Sequence, residues 1–252
     1  MLERYADLTI VAVFALLVTL SNVLIILVDA VITAIRPFLF EIFASKSYED
    51  QQDKVTLLTK MIVNLPLMII PLIVLVGSNI WLITSKETYF VIEEYITWVS
   101  LTTYILVYAK LFYQQLVFAK RSDVITMLAF IVMLVLIACF YWLVPTQKIW
   151  GVIYATFTAN VLMSILFYFS AQHFQPVAYK AWDIIVIPTI FFLLLFGLEY
   201  WSIELINMSR KSFSILQFSL LTLLLIVVNL GSVREYKNAF SVKTSKGKID
   251  FQ

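Results

Sequence analysis

The sequence predicts an all-α integral membrane protein with about seven transmembrane helices. Residues of the AVILMFWYC set make up 62% of the 252 residues, charged residues only 13%, and the mean hydropathy is +0.94. Soluble domains contain about 45–50% apolar and about 25% charged residues. The apolar residues also fall in long continuous runs, whereas the strands of a membrane β-barrel alternate.

Seven runs are long enough to cross about 30 Å of hydrocarbon at about 1.5 Å per residue. They cover 8–35, 61–84, 89–118, 124–144, 150–171, 182–198 and 213–230, and the sixth is the shortest and contains Pro188. Residues 1–232 therefore predict one transmembrane helical domain, and 233–252 a basic cytoplasmic tail. Pro37 is expected to end the first helix. The apolar residues that follow it, 38–43, are expected to lie in the membrane interface.

The basic residues predict the orientation. Alternate connections share one side of the membrane, and twelve of the 18 Lys and Arg residues fall on one side, against five on the other. Basic residues concentrate in cytoplasmic loops. This distribution predicts a cytoplasmic C-terminus and an N-terminus outside the cytoplasmic (inner) membrane.

Several function classes are disfavoured by composition. One cysteine, one histidine and five glycines leave no disulfide, no cysteine metal cluster, no histidine-based triad, no P-loop and no dinucleotide fingerprint. The net charge of +2 does not favour nucleic acid. We therefore expect no catalytic residue, no metal, no cofactor and no nucleic-acid partner.

Polar residues of the third run share one helical face. Its members, which fall on an arc of roughly 140° at about 100° per residue, are Glu93, Thr97, Ser100, Thr103, Tyr104, Lys110 and Gln114. Charges inside a membrane commonly face a bundle interior or a wet cavity. Lys110 is interpreted either as a cation on a cavity wall or as a lysine that snorkels to the headgroups.

The first run carries a second polar face, formed by Thr19, Asn22, Asp29, Thr33 and Arg36. This face either lines a cavity, with Asp29 as an ion-coupling carboxylate, or forms interhelical hydrogen bonds. Asn160, in the fifth run, is expected to bond a neighbouring helix.

The segment 143–156, LVPTQKIWGVIYAT, resembles a hairpin of the polysaccharide flippase family, which belongs to the multidrug/oligosaccharidyl-lipid/polysaccharide exporter superfamily. There an "L-I-P" turn precedes a helix that begins G-x-x-G-A-A-x-A-T. Pro145, Gly151, Ala155 and Thr156 match, Lys148 replaces the first glycine, and Val152-Ile153 replace the alanine pair. LERY at 2–5 with AVFAL at 12–16 resembles the family's D-R-Y…G-x-Y-x-x-A passage, with Glu3 for aspartate and Ala12 for glycine. AIRPFLF at 34–40 resembles the proline at the end of the family's eighth span.

The resemblance spans 2–156 in the family's order and implies the C-terminal lobe plus two appended helices of a flippase. Such a transporter moves a lipid-linked oligosaccharide between leaflets. The phosphates of this substrate imply cations on the cavity wall. Lys110 and Arg4 are the available cations, and the polar faces of the first and third runs add Asn22, Asp29, Thr103 and Gln114 as substrate-pathway candidates. The implied partners are lipid-linked oligosaccharide, membrane lipid and a missing or separately encoded N-terminal half. The alternatives are an integral membrane polymerase or acyltransferase, and a subunit that only packs against partners.

Reporter fusions test the predicted orientation. Fusions after Gln51 and after Thr244 should report the cytoplasm, and a fusion after Lys86 the exterior. A fusion after Gln51 that reports the exterior would contradict the charge distribution.

Overall fold

The computed structural model describes residues 8–44, 48–79, 92–177, 179 and 185–204, and its secondary-structure elements there are all helices. In chain order they are α1 (Leu8–Ala44), α2 (Tyr48–Ser78), α3 (Ile92–Phe118), α4 (Ser122–Gln147), α5 (Ile149–Phe174) and α6 (Ile187–Glu204). No strand occurs in these ranges.

The predicted fold class, an all-α membrane protein with several spans, is confirmed. Five helices are long and apolar enough to cross a membrane: Ile10–Ala44, Lys54–Ser78, Glu94–Phe118, Ser122–Gln147 and Ile149–Phe174. The sixth expected span is a shorter apolar helix, Ile187–Gly197. The seventh run, Arg4 and the tail at 233–252 lie outside the described residues, so the count of seven stays a prediction.

Contacts between helices define their directions. The Tyr104 hydroxyl of α3 donates a hydrogen bond to the Val63 carbonyl of α2, and a Cβ on Gly77 of α2 would meet Ile96 of α3, so these helices are antiparallel. Helices α1, α3 and α5 run parallel to one another. Their shared C-terminal end, where α2 and α4 begin, is here called the basic end because Arg36, Lys54, Lys120 and Arg121 lie near it.

Helix α3 packs against α1, α2, α4, α5 and α6 and forms the centre of the bundle. It is the least apolar of the five long helices and yet the most buried of them. Helix α4 shows the reverse, since it is among the most apolar of the five and is the least buried. The bundle therefore places its polar helix inside and its most apolar helices towards lipid, where exposed polar groups are costly.

Pro37 does not end the first helix, contrary to the expectation from sequence, because α1 continues through it to Ala44. A proline inside a helix costs about 3 kcal/mol. Beyond it, Leu39, Ile42 and Phe43 are buried. The ring centroids of Phe43 and of Phe118 in α3 lie 5.4 Å apart. Burying each such side chain contributes about 1.5–3 kcal/mol, which outweighs the proline. Residues 38–43 are therefore the last turns of α1 and not a separate segment, while their place in the membrane interface stays a prediction.

The turn between α4 and α5 is shorter than the gap at 145–149 between the fourth and fifth apolar runs of the sequence. Helix α4 includes Pro145 and ends at Gln147, and α5 begins at Ile149. Lys148 alone reverses the chain, with φ 52° and ψ −118°, a backbone region that favours glycine. Gly151 makes the close approach possible, since a Cβ there would lie 2.6 Å from the Leu143 carbonyl carbon.

Substituting Gly151→Ala should destabilise this hairpin, because the new methyl group would meet the α4 backbone, 2.6 Å from Leu143 C and 2.9 Å from Val144 Cα. Overpacking of this kind costs about 1–3 kcal/mol. Thermal unfolding in detergent should show a lower midpoint. Gly197→Ala is the matched control, because nothing lies within 4 Å of a Cβ at that site. An equal effect of both substitutions would contradict the role of Gly151.

Candidate functional site

A polar groove runs along α3 between α1 and α5. Two cavities form it, of about 340 Å³ and about 210 Å³, and Leu106 of α3 lines both. The larger lies towards the basic end and is here called the charged cavity. The smaller, towards the opposite end, is here called the neutral cavity. Small-molecule sites commonly have volumes of about 300–1,000 Å³, so the charged cavity alone is large enough for a small polar group.

The charged cavity has polar groups from two helices on an otherwise apolar wall. Its polar lining residues are Asp29, Thr33 and Arg36 of α1 and Lys110, Tyr113 and Gln114 of α3. Helix α5 contributes Met163 and Phe167. Two cations and one carboxylate therefore share one cavity.

Lys110 and Asp29 form an ion pair across α1 and α3, in which the ammonium donates to Asp29 Oδ1. The Lys110 side chain is 22% exposed and that of Asp29 is 56% exposed, so the carboxylate lies on the more open side. This geometry agrees with the first interpretation of Lys110, because the lysine lines a cavity and binds a carboxylate on a neighbouring helix. Asp29 lines the cavity and accepts an interhelical bond, and its role as an ion-coupling carboxylate stays a prediction.

The neutral cavity contains hydroxyl and amide groups without charge. They are Ser21 and Asn22 of α1, Thr102 and Thr103 of α3, and Thr156 and Asn160 of α5. Each hydroxyl donates to a carbonyl in its own helix, at distances between 2.6 and 2.9 Å. A hydroxyl whose proton is already engaged in a hydrogen bond still has acceptor lone pairs. The cavity therefore offers mainly acceptors to a polar guest.

Gln114 has a buried oxygen without a partner. Its side chain is 3% exposed, lines the charged cavity, and its Oε1 forms no hydrogen bond with any group in the described part of the chain. An unsatisfied buried acceptor costs about 1–3 kcal/mol. The oxygen itself is closed to solvent, so a donor in the cavity would reach it only after the Gln114 side chain turns.

The groove brings together five of the six residues expected from sequence. Asn22 and Thr103 line the neutral cavity, and Asp29, Lys110 and Gln114 line the charged one. Arg4 lies outside the described residues. The polar arc predicted for α3 is not a single surface, however. Tyr104 turns away from the groove and packs its ring against Phe192 of α6 at 5.4 Å.

Asn160 binds a neighbouring helix, as expected from sequence. Its Nδ2 donates to the Thr102 carbonyl at 2.9 Å, and one turn later the Ser164 hydroxyl shares its proton between the Ile105 carbonyl at 3.0 Å and the Asn160 carbonyl of its own helix at 2.8 Å. These bonds hold α5 against α3 along the neutral cavity. The wall of the groove that α5 forms is therefore fixed in register with α3.

A hydrogen-bonded cluster at the basic end was not anticipated from the sequence. Gln115, with 0% exposure, donates to the carbonyls of Ala171 and Gln175 and accepts a bond of 2.9 Å from the Tyr179 hydroxyl. Burial raises the pKa of Tyr179 well above its usual range, with a smaller contribution from Tyr168, so the phenol stays a neutral donor. The cluster ties the ends of α3 and α5 together.

A signal for this contact exists in the sequence. Ser164, Phe167 and Ala171 recur at helical spacing and are buried, and Asn160, one turn before Ser164, is half-buried on the same face of α5. Small and hydrogen-bonding residues on one face are typical of contacts between membrane helices. They indicate that α5 packs closely on a neighbour. They do not identify Gln115, rather than Gln114, as the residue that faces it.

No protein-family model, curated protein or solved structure matches this chain. Within the described residues, no group of three or more His, Cys, Asp or Glu side chains could hold a metal ion. What the groove can bind therefore follows from its own side chains.

Replacing Gln115 by leucine should destabilise the protein, because the substitution leaves the Tyr179 hydroxyl without its acceptor and removes two bonds to α5. The expected loss is about 1–3 kcal/mol, measured as a lower midpoint of thermal unfolding in detergent. Gln114→Leu is the matched comparison, since its Oε1 has no partner among the described residues, and it should cost less. The opposite ranking would contradict the cluster.

Proposed function

We propose that this chain is a component of a transporter that flips lipid-linked oligosaccharides or polysaccharide precursors across the cytoplasmic membrane. The observation that carries the proposal is the groove itself, in which a cavity with two cations adjoins a cavity rich in acceptors. This order of groups suits a head that joins a diphosphate to a sugar. The resemblance of 2–156 to polysaccharide flippases supports the same substrate class.

Each portion of such a substrate has a chemical counterpart here. Phosphate oxygens bind ammonium and guanidinium groups, and Lys110 and Arg36 line the charged cavity. Sugar hydroxyls donate hydrogen bonds, and the hydroxyl oxygens of the neutral cavity accept them. The lipid tail would remain in the bilayer beside the apolar outer faces of the helices.

The proposed topology has the basic end in the cytoplasm, the N-terminus outside and the C-terminus inside. Asn22 and Asp29 are exposed in the groove. A second wall of polar groups would enclose them, because polar side chains that face lipid are costly. We infer that a separately encoded or missing N-terminal half supplies this wall, and that transport occurs by rocking of the two halves.

The test is complementation of a flippase-deficient strain in two arms, with this chain alone and with this chain plus a complete upstream half. Surface glycan should return only in the second arm, since a cavity between two lobes needs both. Restored glycan in the first arm would overturn the role of a separate half. Glycan in neither arm would support a subunit that only packs against partners.

The second test uses Lys110→Ala in the complementing arm. Glycan export should fall at least about tenfold with unchanged protein abundance, because the groove loses the cation of its ion pair. Lys54→Ala is the control, since Lys54 is exposed near the basic end and outside both cavities. Reduced abundance with normal export per molecule would make Lys110 a purely structural residue.

A further inference from the structure

The charged cavity contains its own anion. Lys110 pairs with Asp29, while Arg36, which lines the same cavity, forms no ion pair with any described residue. One carboxylate therefore balances two cations. Arg36 is itself exposed, so its guanidinium is open to an entering anion.

The Asp29 carboxylate occupies the position that an external anion would take. A carboxylate oxygen and a phosphate oxygen form the same kind of charge-assisted hydrogen bond with an ammonium group. Asp29 lies on the open side and is 56% exposed, whereas Lys110 is 22% exposed beneath it. An anion that approaches the ammonium from the open side of the groove meets Asp29, and like charges repel each other there.

We propose that Asp29 is an exchangeable counter-anion, which a phosphate or diphosphate ester displaces from Lys110 when it binds. A diphosphate carries more negative charge than one carboxylate and can contact both Lys110 and Arg36. Asp29 loses little on release, because it is already more than half exposed. When the ester leaves, Asp29 returns and keeps the ammonium paired, which avoids an isolated charge in an apolar wall. The inference rests on the proposed function for the role of the groove, but the exchange requires no transport.

A second observation points to the same ligand. The Gln114 oxygen is buried without a partner at the wall of this cavity. It accepts hydrogen bonds and so cannot bind a phosphate oxygen. A ligand that combines an anion for Lys110 and Arg36 with a nearby donor, such as a sugar hydroxyl, would also satisfy Gln114 once its closed oxygen turns into the cavity.

The exchange is tested by direct binding to the purified full chain in a non-ionic detergent. The probe is geranyl diphosphate, with inorganic pyrophosphate and geraniol as parallel arms. Binding of geranyl diphosphate alone identifies a lipid-borne ester as the ligand, and equal binding of pyrophosphate identifies the free anion. Both results support the exchange when they depend on Lys110. Binding of geraniol alone overturns it.

The variants separate exchange from a general effect of charge. Asp29→Asn should tighten diphosphate binding about tenfold, because the internal competitor is gone, and Lys110→Gln should weaken it about tenfold. In the Lys110→Gln background, Asp29→Asn should change binding by less than about twofold, since the two residues act through one contact. Asp29→Glu keeps the anion and should bind as the unaltered chain does.

Asp123→Asn is the matched control. It removes the same charge from a carboxylate that lies 3.6 Å from Arg121 and outside both cavities, so it should leave binding unchanged. An equal gain from Asp29→Asn with and without Lys110 would show long-range charge only and overturn the exchange. Weaker binding by Asp29→Asn together with normal binding by Asp29→Glu would also overturn the exchange. The absence of diphosphate binding by every variant would overturn it as well. If binding shows the exchange but complementation fails, the transport proposal falls and the exchange stands.

Discussion

Helix α3 has too many polar side chains to face lipid, and the arrangement of the other helices follows from enclosing it. Its hydropathy is the lowest of the five long helices, and Thr97, Ser100, Thr102, Thr103, Tyr104, Gln114 and Gln115 are all buried. Five neighbouring helices cover it. Because an exposed hydroxyl or amide is costly in hydrocarbon, the apolar helices occupy the outside, and α4, the least buried of the long helices, presents most of its surface to lipid.

The two walls of the groove are joined to α3 in different ways. Asn160 and Ser164 of α5 donate to α3 carbonyls, and Gln115 of α3 donates back to the end of α5. Helix α1 is held by the Lys110–Asp29 pair and, near the basic end, by Phe40 and Phe43 packed on Phe118. Hydrogen bonds to backbone fix the register of α5, whereas α1 is held by buried apolar side chains such as Leu24, Val28 and Ile32, with one ion pair between flexible side chains.

Most hydroxyls in the groove satisfy their donors within their own helix, and this determines what the groove offers to a ligand. Thr103 donates to Val99 and Thr156 to Val152, so their oxygens remain as acceptors. Lys110 and Arg36 provide the positive charge further along the groove, towards the basic end. The proposed transport of a sugar phosphate rests on this separation of charge and neutral acceptors along one wall.

The sequence alone determined the membrane class, five long helices and the residue types of the groove, because length, hydropathy and helical periodicity are local properties. Asn22, Asp29, Thr103, Lys110 and Gln114 could be named from the polar faces of two helices. Only the tertiary structure decided that Asp29 contacts Lys110, which is 81 positions away, that Gln115 rather than Gln114 bonds α5, and that α1 continues through Pro37. Each of these depends on which helix lies opposite, and burial against that neighbour outweighs local signals such as a proline.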